Sequence, residues 1–331
     1  HEYGEAVTFK YEAGVDTDDI TCYESDKDGK KIEDAKHLDI QKAGKDFIVK
    51  GQALSDGETP YYVTIKYAQN GVYKEASQTF AFGVHKINLH GDITVNEKKP
   101  SIILGKNKKL QVTVTMEADN DNLLKEKEDV DKINFTLVAF DGKEQTPLKA
   151  TLSSKSLTEN KKATYVYEIE QSSAHMLASG TKYTITATAD YSKFTDPVYF
   201  ESYSKIFDSM ELTKATLGIN VRDTLTVKYN HDNNKLYYEI TGEKDEYIGK
   251  RPASCKIKVE DPAIIEIDDD GNFRTLMGGE TTLTLTADDD SEYDIYETCT
   301  KTVKVKVESP ENVDFTLNNM SLDEFLKSAT K

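Results

Sequence analysis

In segment after segment of this chain, apolar residues recur at every second position, and that spacing constrains the fold more than any other feature. In KLQVTVTME, Leu110, Val112, Val114 and Met116 alternate with Gln111, Thr113 and Thr115. Ile133, Phe135, Leu137 and Ala139 repeat the pattern, as do Tyr183, Ile185, Ala187 and Ala189, and then Leu225, Val227 and Tyr229. Leu283 and Leu285 stand between Thr282, Thr284 and Thr286, while Val303, Val305 and Val307 interleave with Lys304 and Lys306. Successive side chains of an extended strand point to opposite faces, so a period of two makes one apolar face and one wet face. The Thr, Val and Tyr content suits half-buried antiparallel strands. The chain is predicted to be all-β. Asn70-Gly71, Asp141-Gly142 and Asp270-Gly271 read as its turns, because tight hairpins need residues tolerant of positive φ.

At about 150 residues per domain, 331 residues suggest two or three domains. The strand pattern restarts after QTFAF and again after PVYFESY, which predicts units at 1–86, 87–206 and 207–309 and a tail at 310–331. Each unit has the size of one Ig-like sandwich. The expected architecture is three tandem Ig-like β-sandwich domains with a short C-terminal helical or linker tail. GVHKINLHG reads as a crossing segment. The polar run DNDNLLKEKEDVDK at 119–132 reads as a loop or a single helical turn, and a second short helix is expected at 172–177. In the tail, Leu322, Phe325 and Leu326 at i, i+3, i+4, with Ser321 and Glu324 at capping-box spacing, predict a short helix or the start of a following domain.

Composition excludes several roles. With 42 Lys plus Arg against 59 Asp plus Glu, the net charge of −17 argues against nucleic acid or an anionic membrane as partner. No apolar run approaches the ~18 residues of a membrane span, so no membrane insertion is expected in this segment. The chain opens at His1 without a basic or apolar leader and reads as a piece of a longer protein. There is no C-x-x-C, no H-E-x-x-H, no G-x-S-x-G and no Gly-rich phosphate loop, so the chain is read as a non-enzyme without a cofactor. Calcium is the one ion the sequence raises. Asp268, Asp269 and Asp270, and Asp288, Asp289 and Asp290, cluster carboxylates where a hard cation takes about six to eight oxygens. Their spacing is not that of an EF-hand, and solvated turn carboxylates are the plainer reading. Lacking Trp, the chain would have to build a sugar platform from Tyr, and Tyr61 and Tyr237 are the candidates for ligand binding. Strand aromatics more often serve as core and cross-strand pairs.

Residues 254–286, SCKIKVEDPAIIEIDDDGNFRTLMGGETTLTLT, are more specific. Asp261-Pro262, Ile264 to Ile267, Gly271, Gly278-Gly279, Thr281 to Ala287 and the closing strand YETCTKTVKVKV resemble the group-two bacterial Ig-like domain. The resemblance covers about Met210 to Glu308 and departs at 242–254, where the connection is longer, and at Leu276-Met277. It implies that Cys255 and Cys299 share one sandwich, where they bridge if their strands are neighbours and their Cα atoms lie within ~7 Å; otherwise both are free thiols. Cys22 has no evident partner in its own unit. The resemblance further implies a non-catalytic, monomeric, extracellular segment of a bacterial surface or secreted protein, acting as an adhesive or spacer module array. Its partner would be a protein or glycan on a cell surface or matrix. Two alternatives stand beside it: an accessory carbohydrate-binding region of a secreted glycan-degrading enzyme, and an Ig-like structural component of a phage or filament.

Overall fold

A computed structural model describes residues 1–11, 17–55, 59–69, 73–104, 108–118, 127–159, 162–194, 198–230, 232–244 and 253–309. The Asn70-Gly71 turn and the tail from 310 onward lie outside the described residues. The alternating segments are strands, and among the described residues helix is confined to short turns. No helix among the described residues is long and apolar enough to cross a membrane.

The chain divides into two compact units, His1–Thr213 and Lys214–Lys331. The first contains two sandwiches. In the leading one, β1 (Ala6–Phe9), β2 (Ile20–Ser25), β3 (Leu38–Ala43), β4 (Asp46–Gly51), β5 (Tyr61–Tyr67) and β6 (Ala76–Phe82) form two three-stranded sheets, ordered β1-β4-β3 and β2-β5-β6. Leu38, Val49, Val63, Phe82 and Val84 are its buried centre. Strand β1 faces β6 through Phe9, whose ring lies 5.3 Å from Phe80 and 6.4 Å from Phe82. It has four residues against seven in β6, so among the described residues β1 reaches along only part of β6.

The second sandwich comprises β7 (Leu89–His90), β8 (Ile93–Val95), β9 (Gln111–Ala118), α1 (Lys127–Lys132), β10 (Asn134–Phe140), β11 (Gln145–Leu148), β12 (Ala150–Thr158), β13 (Lys162–Ile169), α2 (Gln171–Ala174), β14 (Lys182–Asp190) and β15 (Ser204–Glu211). One sheet runs β11-β10-β14-β15 and the other β12-β13-β9-β7, with β8 also on β9. The sequence periodicity is obeyed closely. Val112, Val114, Met116, Ile133, Phe135, Leu137, Ala139, Tyr183, Ile185 and Ala187 are all buried. Each full Val, Leu or Ile side chain taken from water contributes roughly 1.5–3 kcal/mol, which is what holds two sheets face to face. Helix α1 occupies the end of the polar 119–132 run, and α2 lies close to its expected place.

One sequence expectation needs correction here. The boundary between second and third units is not at 206/207. Strand β15 pairs with β14, and Met210, opposite Tyr183, is fully buried, so the division falls after Thr213. The expected crossing segment after β6 is held on both sides. Val84 and Ile87 are buried in it, Tyr3 N–H donates to His85 O at 2.9 Å, and Asn88 N–H donates to Glu2 Oε1 at 3.0 Å. The Tyr3 ring stacks on Tyr199 at 4.6 Å and 13°. The leading residues thus sew the two sandwiches together.

In the second unit, β16 (Ala215–Asn220), β17 (Thr224–Lys228), β18 (Asn234–Lys235), β19 (Glu239–Gly242), β20 (Ala253–Val259), β21 (Ile265–Ile267), β22 (Asn272–Thr275), β23 (Gly279–Asp289), β24 (Tyr296–Glu297) and β25 (Cys299–Glu308) form a third sandwich. Sheet β17-β25-β23-β20 packs its buried Leu225, Leu283, Leu285, Val303, Val305 and Val307 against Leu236, Ile265 and Phe273 of the shorter sheets. Not every pair is antiparallel: β16 runs parallel to β24, and β17 parallel to β25. Between β16 and β17 the chain leaves one sheet for the other, held by Lys304 N–H on Asp223 O at 2.9 Å and by Lys301 Nζ on Asp223 Oδ1 at 2.7 Å.

Candidate functional site

Asp268–Asp270 sit on a turn, Asp288 and Asp289 end strand β23 with Asp290 just beyond, and four of the six carboxylates accept hydrogen bonds there. Asp268 opens the turn between β21 and β22. Its Oδ1 accepts from Asn272 N–H at 2.8 Å and its Oδ2 from Asn272 Nδ2 at 2.9 Å. The Asn272 side-chain donor, and then its backbone N–H, hold the Asp268 carboxyl below the usual range. Asp269 Oδ1 accepts from Ile257 N–H at 2.8 Å and pins this turn to β20. In the other triplet, Asp288 Oδ1 accepts from Thr298 Oγ1 at 2.7 Å. Asp289 accepts from Ser291 N–H and Tyr296 N–H, both at 2.8 Å. Asp270 and Asp290 are exposed at the turn ends. Ile257 carries the first triplet and Ser254 pairs with Asp288, so the two are separated by about 10 Å along β20 at ~3.3 Å per residue. Among the described residues, no group of three or more His, Cys, Asp or Glu converges as metal ligands do.

Cys255 and Cys299 share one sandwich, but their strands are not neighbours, so the condition for a bridge is not met. Strand β23 lies between β20 and β25, and Ala287 is the register partner of Cys255 on one side and of Cys299 on the other. Two strand spacings of ~4.8 Å put the Cα atoms about 10 Å apart, beyond the reach of a disulfide. All three cysteines are free. Burial pushes the Cys22 thiol up to about 11 and raises Cys255 as well, so both stay as neutral thiols at neutral pH.

Tyr61 and Tyr237 lie in different compact units. Tyr61 belongs to the first unit, where its hydroxyl donates to Leu54 O at 2.7 Å and its ring stacks on His37 at 4.7 Å and 12°. His37 Nδ1 in turn meets Glu24 Oε1 at 2.7 Å, and Glu24 Oε2 accepts from Leu38 N–H at 3.2 Å. That chain gives the nearly buried Glu24 carboxylate its partners and holds the Tyr61 ring against His37. Tyr237 belongs to the second unit, between β18 and β19, with 71% of its surface exposed.

A cleft that the sequence reading missed lies in the first sandwich, where β1 stops short of β6. It encloses about 600 Å³ and is lined by Tyr11, Tyr67, Tyr73 and Phe80, with Lys10 and Lys74 among its walls. Tyr67 shares its strand face with Tyr61, six residues on, so alternation alone identifies both. What the alternation does not show is that Tyr67 borders the cleft while Tyr61 lies against His37.

No protein-family model matches the chain, the group-two bacterial Ig-like family included, and no curated protein sequence matches it. Among solved structures, it is similar to the full Ig1–Ig3 ectodomain of mouse nectin-like molecule 4, with 9% identity, 94% of this chain and 97% of that one covered, and a TM-score of 0.28. Domains A168–A170 of titin match at 11% identity over 93% and 95% of the two chains, with a TM-score of 0.26. The three N-terminal domains of the highly immunogenic outer capsid protein of bacteriophage RB49 match at 12% identity over 93% and 95%, again at 0.26.

Proposed function

We propose that this chain is a non-catalytic array of β-sandwich modules that spaces and presents binding surfaces outside a bacterial cell, as part of a surface or secreted protein. The observation that supports the spacing role is the joint within His1–Thr213. Hydrogen bonds from residues 2–4 to 51–88, two buried aliphatic residues and the Tyr3–Tyr199 stack replace a free linker. A joint of that kind suits reach and fixed presentation, which a hinge would defeat. The bacterial, extracellular setting rests on the motif resemblance of residues 254–308. The three modules are taken as 1–86, 87–213 and 214–309.

Beads coated with the full chain test the adhesive half of this reading. They should be retained on layers of matrix protein or polysaccharide more strongly than albumin-coated beads; equal retention would leave a spacer alone. For the ion, millimolar calcium should leave the melting temperature unchanged, since the turn carboxylates already hold backbone N–H groups. A rise of several degrees would show that the acidic turns reorganise around the cation.

A further inference from the structure

We infer that the cleft at the open end of the first sandwich is a binding site for a saccharide ring bearing a carboxylate, as in a uronic acid. The reading of the chain as a presenting array supplies the setting, but the cleft is argued from its own walls. On the sheet face toward the interior, burial fades along β6: Phe82 is buried, Phe80 is intermediate, and Gln78 and Ala76 are exposed. Phe80, Tyr67, Tyr11 and Ile65 leave an apolar and aromatic floor, the kind of surface on which the C–H face of a sugar ring lies flat. Tyr73, half exposed, stands edge-on to Tyr67 at 6.3 Å and offers a second ring wall.

Two features choose a polar, anionic guest over a hydrocarbon one. The hydroxyl oxygens of Tyr11 and Tyr67 are shielded from water and have no hydrogen-bond partner. A shielded hydroxyl left unbonded is costly, and a turn of either ring that brings its O–H into the cleft lets a guest hydroxyl supply the missing partner. Lys10 and Lys74 line the same cleft, and among the described residues neither has an acidic partner. In a chain where acids outnumber bases 59 to 42, the charged side chains that line this opening are Lys10 and Lys74. A carboxylate placed between them makes charge-assisted hydrogen bonds that a neutral sugar does not.

Calorimetric and NMR titration of the full chain tests this with four probes: methyl β-D-glucuronide, methyl β-D-glucoside, sodium acetate and 4-hydroxyphenylacetate. The glucuronide should bind saturably and perturb the signals of Tyr11, Tyr67 and Ile65, with the other three weaker by about tenfold or more. Lys10→Gln combined with Lys74→Gln, both at exposed positions, should cost the glucuronide a similar factor while leaving the melting temperature unchanged. Equal binding of glucoside or acetate would overturn the assignment of a carboxylated ring. Preference for 4-hydroxyphenylacetate would make the cleft a pocket for an aromatic acid instead. Absence of saturable glucuronide binding, or binding undiminished in the double variant, would overturn the site. None of these outcomes bears on bead retention, which can succeed through another surface, so the two readings fail separately.

Discussion

Single residues in this chain are constrained most tightly where the backbone turns. Gly271 follows the Asp268–Asp270 triplet with φ +83°, and a Cβ there would overlap Leu236 O. Gly271→Ala should therefore destabilise the chain by about 1–3 kcal/mol, measurable as a lower urea midpoint of the second unit. The engaged carboxylates predict an acid response. Asn272 side-chain and backbone donors depress Asp268; the N–H groups of Glu144 and Lys143 depress Asp141; Ser192 depresses Asp190. Lys301 depresses Asp223, and Lys109 followed by Ser153 depresses Glu168. A depressed carboxyl stays charged in the folded chain at a pH where the unfolded chain has begun to bind protons. Stability from these groups is complete above their unfolded values of 3.8 and 4.5 and is lost as pH falls through the lower folded values. The melting temperature should hold from pH 7 to about 5 and then fall steadily toward pH 3. At this scale the acidic triplets were visible in the sequence but their employment was not, because an Asp that takes a backbone N–H and one that takes a cation are the same letter.

Among the elements, α1 shows how a polar run is given a place. Tyr165 is fully buried, and its hydroxyl donates to Val130 O at 3.0 Å, while Lys155 Nζ meets Asp131 Oδ1 at 2.6 Å. Burial also drives the Tyr165 phenol pKa upward, so it remains a donor at any ordinary pH. Tyr165→Phe removes the anchor but keeps the ring. It should cost about 0.5–1.5 kcal/mol and speed hydrogen exchange of the α1 amides, with β13 amides little changed. Strand identity was readable in much of the chain, since burial follows the period of two in β9, β10, β13, β14, β23 and β25. Strand neighbours were not. The closing strand β25 pairs with β23 and, in parallel, with β17, while Cys255 on β20 lies one strand further away. Local periodicity says which face of a strand is apolar and nothing about which strand lies beside it.

For the molecule as a whole, the division after Thr213 predicts that the two compact units melt separately, with the first two sandwiches unfolding together. The Tyr3–Tyr199 stack contributes about 0.5–1.5 kcal/mol beyond its buried area. Tyr3→Ala should lower the melting of the first unit in calorimetry and leave the melting of the second in place. An equal fall in both would mean the units are coupled.

Alternation in the sequence was enough to establish paired sheets, the apolar residues that close them and the turns at Asp141-Gly142 and Asp270-Gly271, because strand geometry and positive-φ tolerance are local properties of a few consecutive residues. The place of β15, the sewn joint at Tyr3, the separation of the two cysteines and the cleft beside β6 arise only when distant segments meet. Each depends on where a facing or neighbouring strand begins and ends, and no run of consecutive residues carries that information.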